Sequence, residues 1–253
     1  MKKIFLNILY LVFILSPQLF AQQFTTSSPE WLVDMFFNKD SFPDKADYFT
    51  GEMLNFADES TIGEELNGEG EVYFHQIKVK PDQIVFAIEI KQNQSVIDLY
   101  CYLIKIQNSW KINAVRRFLL PAFIYTVRDS LSQLNTLTKN DSAFYHSLQL
   151  FTASDIELKS YLKSNLDSFQ KLIVLFNDNI KEQADIYLTS LGCNAIYTDK
   201  NYPGCIFVQI LKFEDMEAGF INSADPIVLP EISFNHYIYI EEVVHDWFVY
   251  REM

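Results

Sequence analysis

The sequence predicts an α+β protein: an N-terminal helix and a curved antiparallel meander, followed by a second α+β domain of helices and then antiparallel strands. Two observations carry this. Residues 72–118 split into four apolar runs separated by short polar turns, the pattern of consecutive hairpins. The second half runs helical periodicity first and β-type runs afterwards, an order that argues against an alternating parallel sheet.

Residues 1–21 come first. Lys2 and Lys3 precede an apolar stretch over 4–15 broken only by Asn7, and the segment ends at Ala21 before Gln22. That is the grammar of a secretory signal peptide. The apolar part is short for a membrane span and no Cys follows it to be lipidated, so the mature chain is expected to be secreted or periplasmic, with no membrane span after cleavage. Without the leader, 18 Lys and Arg face 33 Asp and Glu, a net charge of −15 spread over both halves. So acidic a chain is not expected to bind nucleic acid; its charge suits solubility or a basic protein partner.

The first domain is placed at 22–138. Ser28 is a helix N-cap with Pro29 in the first turn, and Leu32, Met35 and Phe36 give the helix an apolar stripe toward the sheet. Residues 47–71 hold eight acids and no Lys or Arg, interrupted by Gly51, Gly63, Gly68 and Gly70. The spacing D-x-[DN]-x-[DN]-G of a calcium loop is absent, so this reads as a solvated acidic connection, and neither metal nor cofactor is expected.

Face matching sets the register of the four strands, because a one-residue slip turns a whole apolar set over. A loop Lys80-Pro81-Asp82-Gln83 puts Val79 opposite Ile84. A link from Lys91 to Ser95 puts Ile90 opposite Val96, and a loop Gln107-Asn108-Ser109 puts Ile106 opposite Trp110. Across those registers His75, Ile88, Asp98 and Phe118 form one row, and Ile77, Phe86, Tyr100 and Arg116 the next. His75, Asp98, Tyr100 and Arg116 thereby become polar residues on the helix-covered apolar face. Asp98 needs a partner there, and Arg116 is the cation this register brings within reach.

With Ser28-Pro29-Glu30-Trp31 opening the helix and Tyr102-Leu103-Ile104-Lys105-Ile106, turn, Trp110-Lys111-Ile112 closing the meander, residues 27–120 resemble the NTF2-like superfamily, which includes the SnoaL-like domains. The resemblance implies a cone between helix and sheet. In that superfamily the cone often holds a ligand or a catalytic Asp/His pair, which by position implicates Asp98 and His75.

After Leu120-Pro121 a helix is expected over 122–137, and Thr138-Lys139-Asn140-Asp141 reads as the boundary to a second domain at 139–253. There, Leu166, Phe169, Leu172, Ile173 and Phe176 share one helical face. A second helix, capped by Asn179 with Glu182, ends at Gly192. Strands follow at 195–198, 205–211, 218–222, 237–242 and 247–251. Cys101, Cys193 and Cys205 are expected to be free, because the hairpin turning at 199–204 holds Cys193 and Cys205 too far apart to bridge.

No G-x-S-x-G, P-loop, H-E-x-x-H or C-x-x-C occurs, His146 and His236 stand alone, and the pair His245-Asp246 reads as a hairpin turn. Two function classes remain. One is a non-catalytic binding or interaction protein for a small molecule or a basic partner. The other is a small-molecule enzyme using the first-domain cone, with Asp98 or His75 as general base and Tyr100 and Arg116 holding an anionic substrate. Export is tested directly: N-terminal sequencing of the mature protein is expected to start at or within a few residues of Gln22, and recovery of an intact Met1 terminus from the membrane would refute it.

Overall fold

The computed structural model describes residues 24–93 and 95–253; the expected leader lies outside them. The class is α+β. Helix α1 spans Pro29–Phe37, with Ser28 Oγ accepting from Trp31 N at 3.2 Å. The short helix α2, Ile62–Leu66, opens on a capping box in which Thr61 and Glu64 satisfy each other's backbone amides, as they must where the first helical N–H groups lack partners.

Strands β1 (Glu71–Val79), β2 (Gln83–Gln92), β3 (Ser95–Ile106) and β4 (Ser109–Arg116) form an antiparallel sheet in chain order. Leu32, Val33, Phe36 and Phe37 of α1 bury against one face, made by Ile84, Phe86, Ile88, Ile90, Leu99, Cys101, Leu103 and Ile112. Val79 does lie opposite Ile84.

The other two expected registers are corrected. Gln92 pairs with Ser95 and Ile90 with Ile97, so β2 and β3 are joined by two residues and Asp98 stands opposite Glu89, not Ile88. Ile106 pairs with Ser109 through Gln107 and Asn108, both at positive φ (48° and 69°), the twist a two-residue hairpin turn prefers. A bulge between Gln76 and Lys78 in β1 then puts His75 opposite Ala87 and Phe74 opposite Ile88. One further bulge between Tyr102 and Leu103 keeps Leu103 opposite Ile112 while Tyr100 faces Arg116. Tyr100 thus stands opposite Arg116 as the sequence predicts, while the rest of the two expected rows is replaced. His75, Asp98, Tyr100 and Arg116 lie on the face away from α1, and the face under α1 is mainly apolar, with Gln76 donating to Glu30 of α1 at its β1 side.

The 3-10 segment Gly51–Phe56 closes the β4 edge. Phe49 bridges Ile112, Thr50 N donates to Ile112 O at 3.0 Å, and Gly51 turns the chain at φ 57°. It is this positive φ that favours glycine; a Cβ there would meet the Asn113 side-chain amide, which can turn aside. Segment 49–56 thus covers one edge of the sheet and leaves β1 as the open one.

The second half supplies α3 (Ala122–Ser132), α4 (Lys139–Phe151), α5 (Asp155–Ser164), α6 (Leu166–Asn177) and α7 (Lys181–Ser190). Strands β5 (Ala195–Thr198), β6 (Ile206–Phe213), β7 (Met216–Asn222), β8 (Tyr237–Val244) and β9 (Trp247–Glu252) follow, in an antiparallel sheet of order β5-β6-β7-β9-β8. Thr138 to Asp141 is a helix start and not a turn: Thr138 Oγ1 accepts from Asp141 N at 3.1 Å and caps α4. The Asn179 and Glu182 cap does not form either. Asn179 sits at φ 56° and ends the α6 turn, with Ile180 N donating to Leu175 O at 2.9 Å, so α7 begins later.

The sheet face turned away from α1 is not solvent-exposed. Val85, Ala87, Tyr100, Tyr102 and Ala114 share one continuous apolar core with α4 to α7 and the second sheet. Cys101, Cys193 and Cys205 are free and buried. At the centre of the second sheet, a Cβ on Gly219 would lie 2.3 Å from Val208 O and 3.1 Å from the Gln209 Cα, both backbone atoms that cannot rotate aside. Gly219→Ala is expected to cost roughly 2–4 kcal/mol through forced strand separation, read as a lower urea midpoint at unchanged slope.

Candidate functional site

Asp98 on β3 points at the start of α5. Its Oδ2 accepts from Asp155 N at 2.9 Å, and Asp155 is the first helical residue after the N-cap Ser154. A carboxylate at that position satisfies an orphan amide and sits at the positive end of the helix dipole. Asp155 in turn accepts from the Tyr100 hydroxyl at 2.7 Å through Oδ2 and from Arg251 Nε at 2.7 Å through Oδ1. Arg251 Nη2 donates to Ala153 O at 2.6 Å, and its guanidinium lies 4.7 Å from the Phe118 ring centroid. Asp155 and Arg251 are 5% and 3% exposed, and Tyr100 is fully buried.

The network continues through Tyr100 stacked on Tyr239 of β8, ring centroids 5.0 Å apart. The Tyr239 hydroxyl donates to Glu241 Oε2 at 2.7 Å; Glu241 also meets His75 Nε2 at 3.0 Å and Lys159 Nζ at 3.1 Å. Of the four sequence-derived residues, then, Tyr100 and Asp98 meet through Asp155. His75 joins through Glu241.

Arg116 does not pair with Asp98. It sits opposite Tyr100 on the edge strand, and its guanidinium turns to the sheet edge, where Nη1 and Nη2 bind both oxygens of Glu52 while Nε donates to Phe234 O at 2.8 Å. The partners that the sequence lacked for Asp98 come from the second half. Asp155, Arg251, Tyr239 and Glu241 lie beyond any register argument made within the first sheet. Two signals lay near them: the S-x-x-E capping pattern at Ser154 and Glu157, and Arg251 directly after the apolar run Trp247 to Tyr250.

Burial, followed by the nearby Asp155 charge, pushes the Asp98 carboxyl up to about 7. Burial alone would raise Glu241 as well, but the hydrogen bonds from His75 and Tyr239 and the Lys159 charge outweigh it and hold that carboxyl at about 2. Two small cavities touch Asp98. One of about 170 Å³ is bounded by Tyr73, His75, Glu89, Lys159 and Tyr239; one of about 70 Å³ lies toward Phe118 and Arg251. Both fall below the usual range of small-molecule pockets. Among the described residues no group of three or more His, Cys, Asp or Glu is placed to hold a metal ion. Larger hollows lie elsewhere: about 650 Å³ between β1 and the 226–232 segment, about 550 Å³ between β1 and α1, and about 340 Å³ at the β4 edge.

The sign of the pH effect follows from the Asp98 shift. A carboxyl raised from 3.8 to about 7 binds the extra proton in the folded state, so its contribution is present in full below about pH 4 and is lost as pH rises through 7. The difference in unfolding free energy between wild type and Asp98→Asn is expected to move against wild type by about 2–3 kcal/mol from pH 5 to pH 8. Glu241 and Glu64, both held at about 2, contribute a constant term over that range. Chemical denaturation at four or five pH values measures it, and a flat difference curve would show that Asp98 does not titrate there. Comparison of the chain with protein-family models, with curated proteins and with solved structures finds no match.

Proposed function

We propose that this is an exported, non-catalytic binding protein in which the cluster around Asp98 joins the two halves and does no chemistry. The observation that carries the reading is the N-terminus of α5 packed over Asp98, with its amide bound to the carboxylate and only small cavities beside it. A general base needs a substrate within hydrogen-bond reach, and the room here suits a few waters. The sheet beneath α1 is packed by Leu32, Val33, Phe36 and Phe37, Asp98 stands on its opposite face, and none of Asp98, Tyr100 and Arg116 lines the hollow of about 550 Å³ between β1 and α1.

Export is supported by the leader read in residues 1–21, and the acidity of both halves favours a basic protein or a cationic small molecule as partner. No helix among the described residues is long and apolar enough to cross a membrane. The order of helix, acidic connection and four-stranded meander is what supports an NTF2-like reading of the first half.

The test is affinity capture from the extracytoplasmic fraction with wild type and with Asp98→Asn, which keeps the side-chain shape and an acceptor oxygen for the Asp155 amide. Equal capture of the same partner by both proteins is expected. A folded Asp98→Asn variant that loses the partner, or that accumulates an unprocessed small molecule, would return the cluster to chemistry.

A further inference from the structure

The cavity at the β4 edge combines an apolar wall with charged groups. Phe36 of α1, Met53 and Phe56 of the 3-10 segment, Ile62 of α2 and Val115 of β4 enclose about 340 Å³, at the lower end of the range for small-molecule sites. Phe56 is 47% exposed and Met53 only 4%, so the hollow is apolar at its base and has an aromatic ring at its mouth. Its polar lining is Glu52, Glu59, Ser60, Thr61 and Arg116. Arg116 gives both Nη atoms to Glu52, and its remaining contacts are Phe234 O and Val115 O, so this cation is already neutralised. Glu52 keeps a 35% exposed side chain and Arg116 holds its carboxyl below the usual range.

Glu59, also on the wall, is exposed and makes no ion pair or side-chain hydrogen bond among the described residues. Lys45, the nearest other cation, is committed to the Glu59 backbone oxygen and to Glu64. Two carboxylates against one occupied guanidinium leave the mouth with negative charge, in the part of the chain where residues 47–71 carry eight acids and no Lys or Arg. An anionic head would have to displace Glu52 from Arg116. A cationic head would find the free lone pairs of Glu52, the Glu59 carboxylate and the Phe56 ring face.

We propose that this cavity binds a small amphiphile with an apolar body and a protonated amine, the body among Phe36, Met53, Ile62 and Val115 and the ammonium between Glu52 and Glu59. The inference rests on the reading of the protein as a binding module, since it supplies that module with a ligand class.

The experiment titrates 2-phenylethylamine into the full-length mature protein, with 2-phenylethanol and 3-phenylpropionate as matched neutral and anionic probes. Both thermal unfolding and calorimetry are read, and the amine is recovered afterwards and weighed by mass spectrometry. The expected result is a melting temperature that climbs with amine concentration, saturable heat for the amine, and little or none for the other two. Glu59→Gln and Phe56→Ala, both at exposed positions, are expected to weaken the amine about fivefold each while leaving the fold intact. Binding of the carboxylate as tightly as the amine, or no saturable binding by any probe, would overturn the pocket and leave the Asp98→Asn capture result standing. Saturable binding followed by chemical conversion of the amine would uphold the pocket and overturn the non-catalytic reading.

Discussion

Placing Asp155 and Arg251 out of water, between the two sheets, is the constraint on which the arrangement of the halves depends. A buried ion pair recovers its desolvation cost only when every remaining lone pair and proton is also satisfied. Here the pair is supported from four directions: the Tyr100 hydroxyl on one Asp155 oxygen, Arg251 on the other, Ala153 O on the guanidinium, and Asp98 on the Asp155 amide. Among the described residues no buried side-chain nitrogen or oxygen is left without a partner. Since those groups belong to β3, α5 and β9, their geometry fixes the helix against both sheets at once. The Tyr100 and Tyr239 stack and the bond from the Tyr102 hydroxyl to Ile238 O at 2.6 Å then bring β3 alongside β8.

The same constraint decides what the polar residues of the first sheet are for. A histidine, an aspartate, a tyrosine and an arginine on one sheet face suggest a pocket, yet three of them are absorbed into the contact between halves and the fourth into the sheet edge. The edges are handled differently from one another. At β4, the chain folds back through Gly51 and leaves a hollow beneath it. At β1, the bulge and the pairing of Lys78 and Lys80 with Glu231 break the flat, regular edge that would invite another strand.

Much of this fold was legible in the residues. Ser28 and Pro29 announce α1, and the five strands of the second sheet begin and end within two residues of where β-type runs and turns put them. What the sequence reading missed was parity. Choosing five residues for the β2–β3 link, where it is two, turned Asp98 toward α1, and overlooking the β1 bulge did the same to His75; the three-residue choice for the β3–β4 link was offset at Tyr100 and Arg116 by the bulge between Tyr102 and Leu103. A sign of the true arrangement lay in the continuous apolar runs 84–88 and 99–104, which mark strands covered on both faces and not the alternation of a half-exposed sheet. Once both faces need cover, a polar residue in such a run must find its partner in the other half of the chain. Local pattern has no access to Arg251, separated from Asp155 by 96 positions.

The three unpaired thiols are distributed in a way that makes them separate reporters. Cys101 lies in the core between the first sheet and α1, whereas Cys193 and Cys205 lie in the core shared with the second sheet. Burial raises all three thiols and keeps them protonated, so each can be alkylated only when its surroundings open. Modification kinetics at Cys101 therefore time the lifting of α1 from its sheet, and those at the other two time the opening of the second half. If the joint at Asp155 makes the molecule one cooperative unit, all three converge on a single opening free energy; if the halves breathe independently, they separate into two.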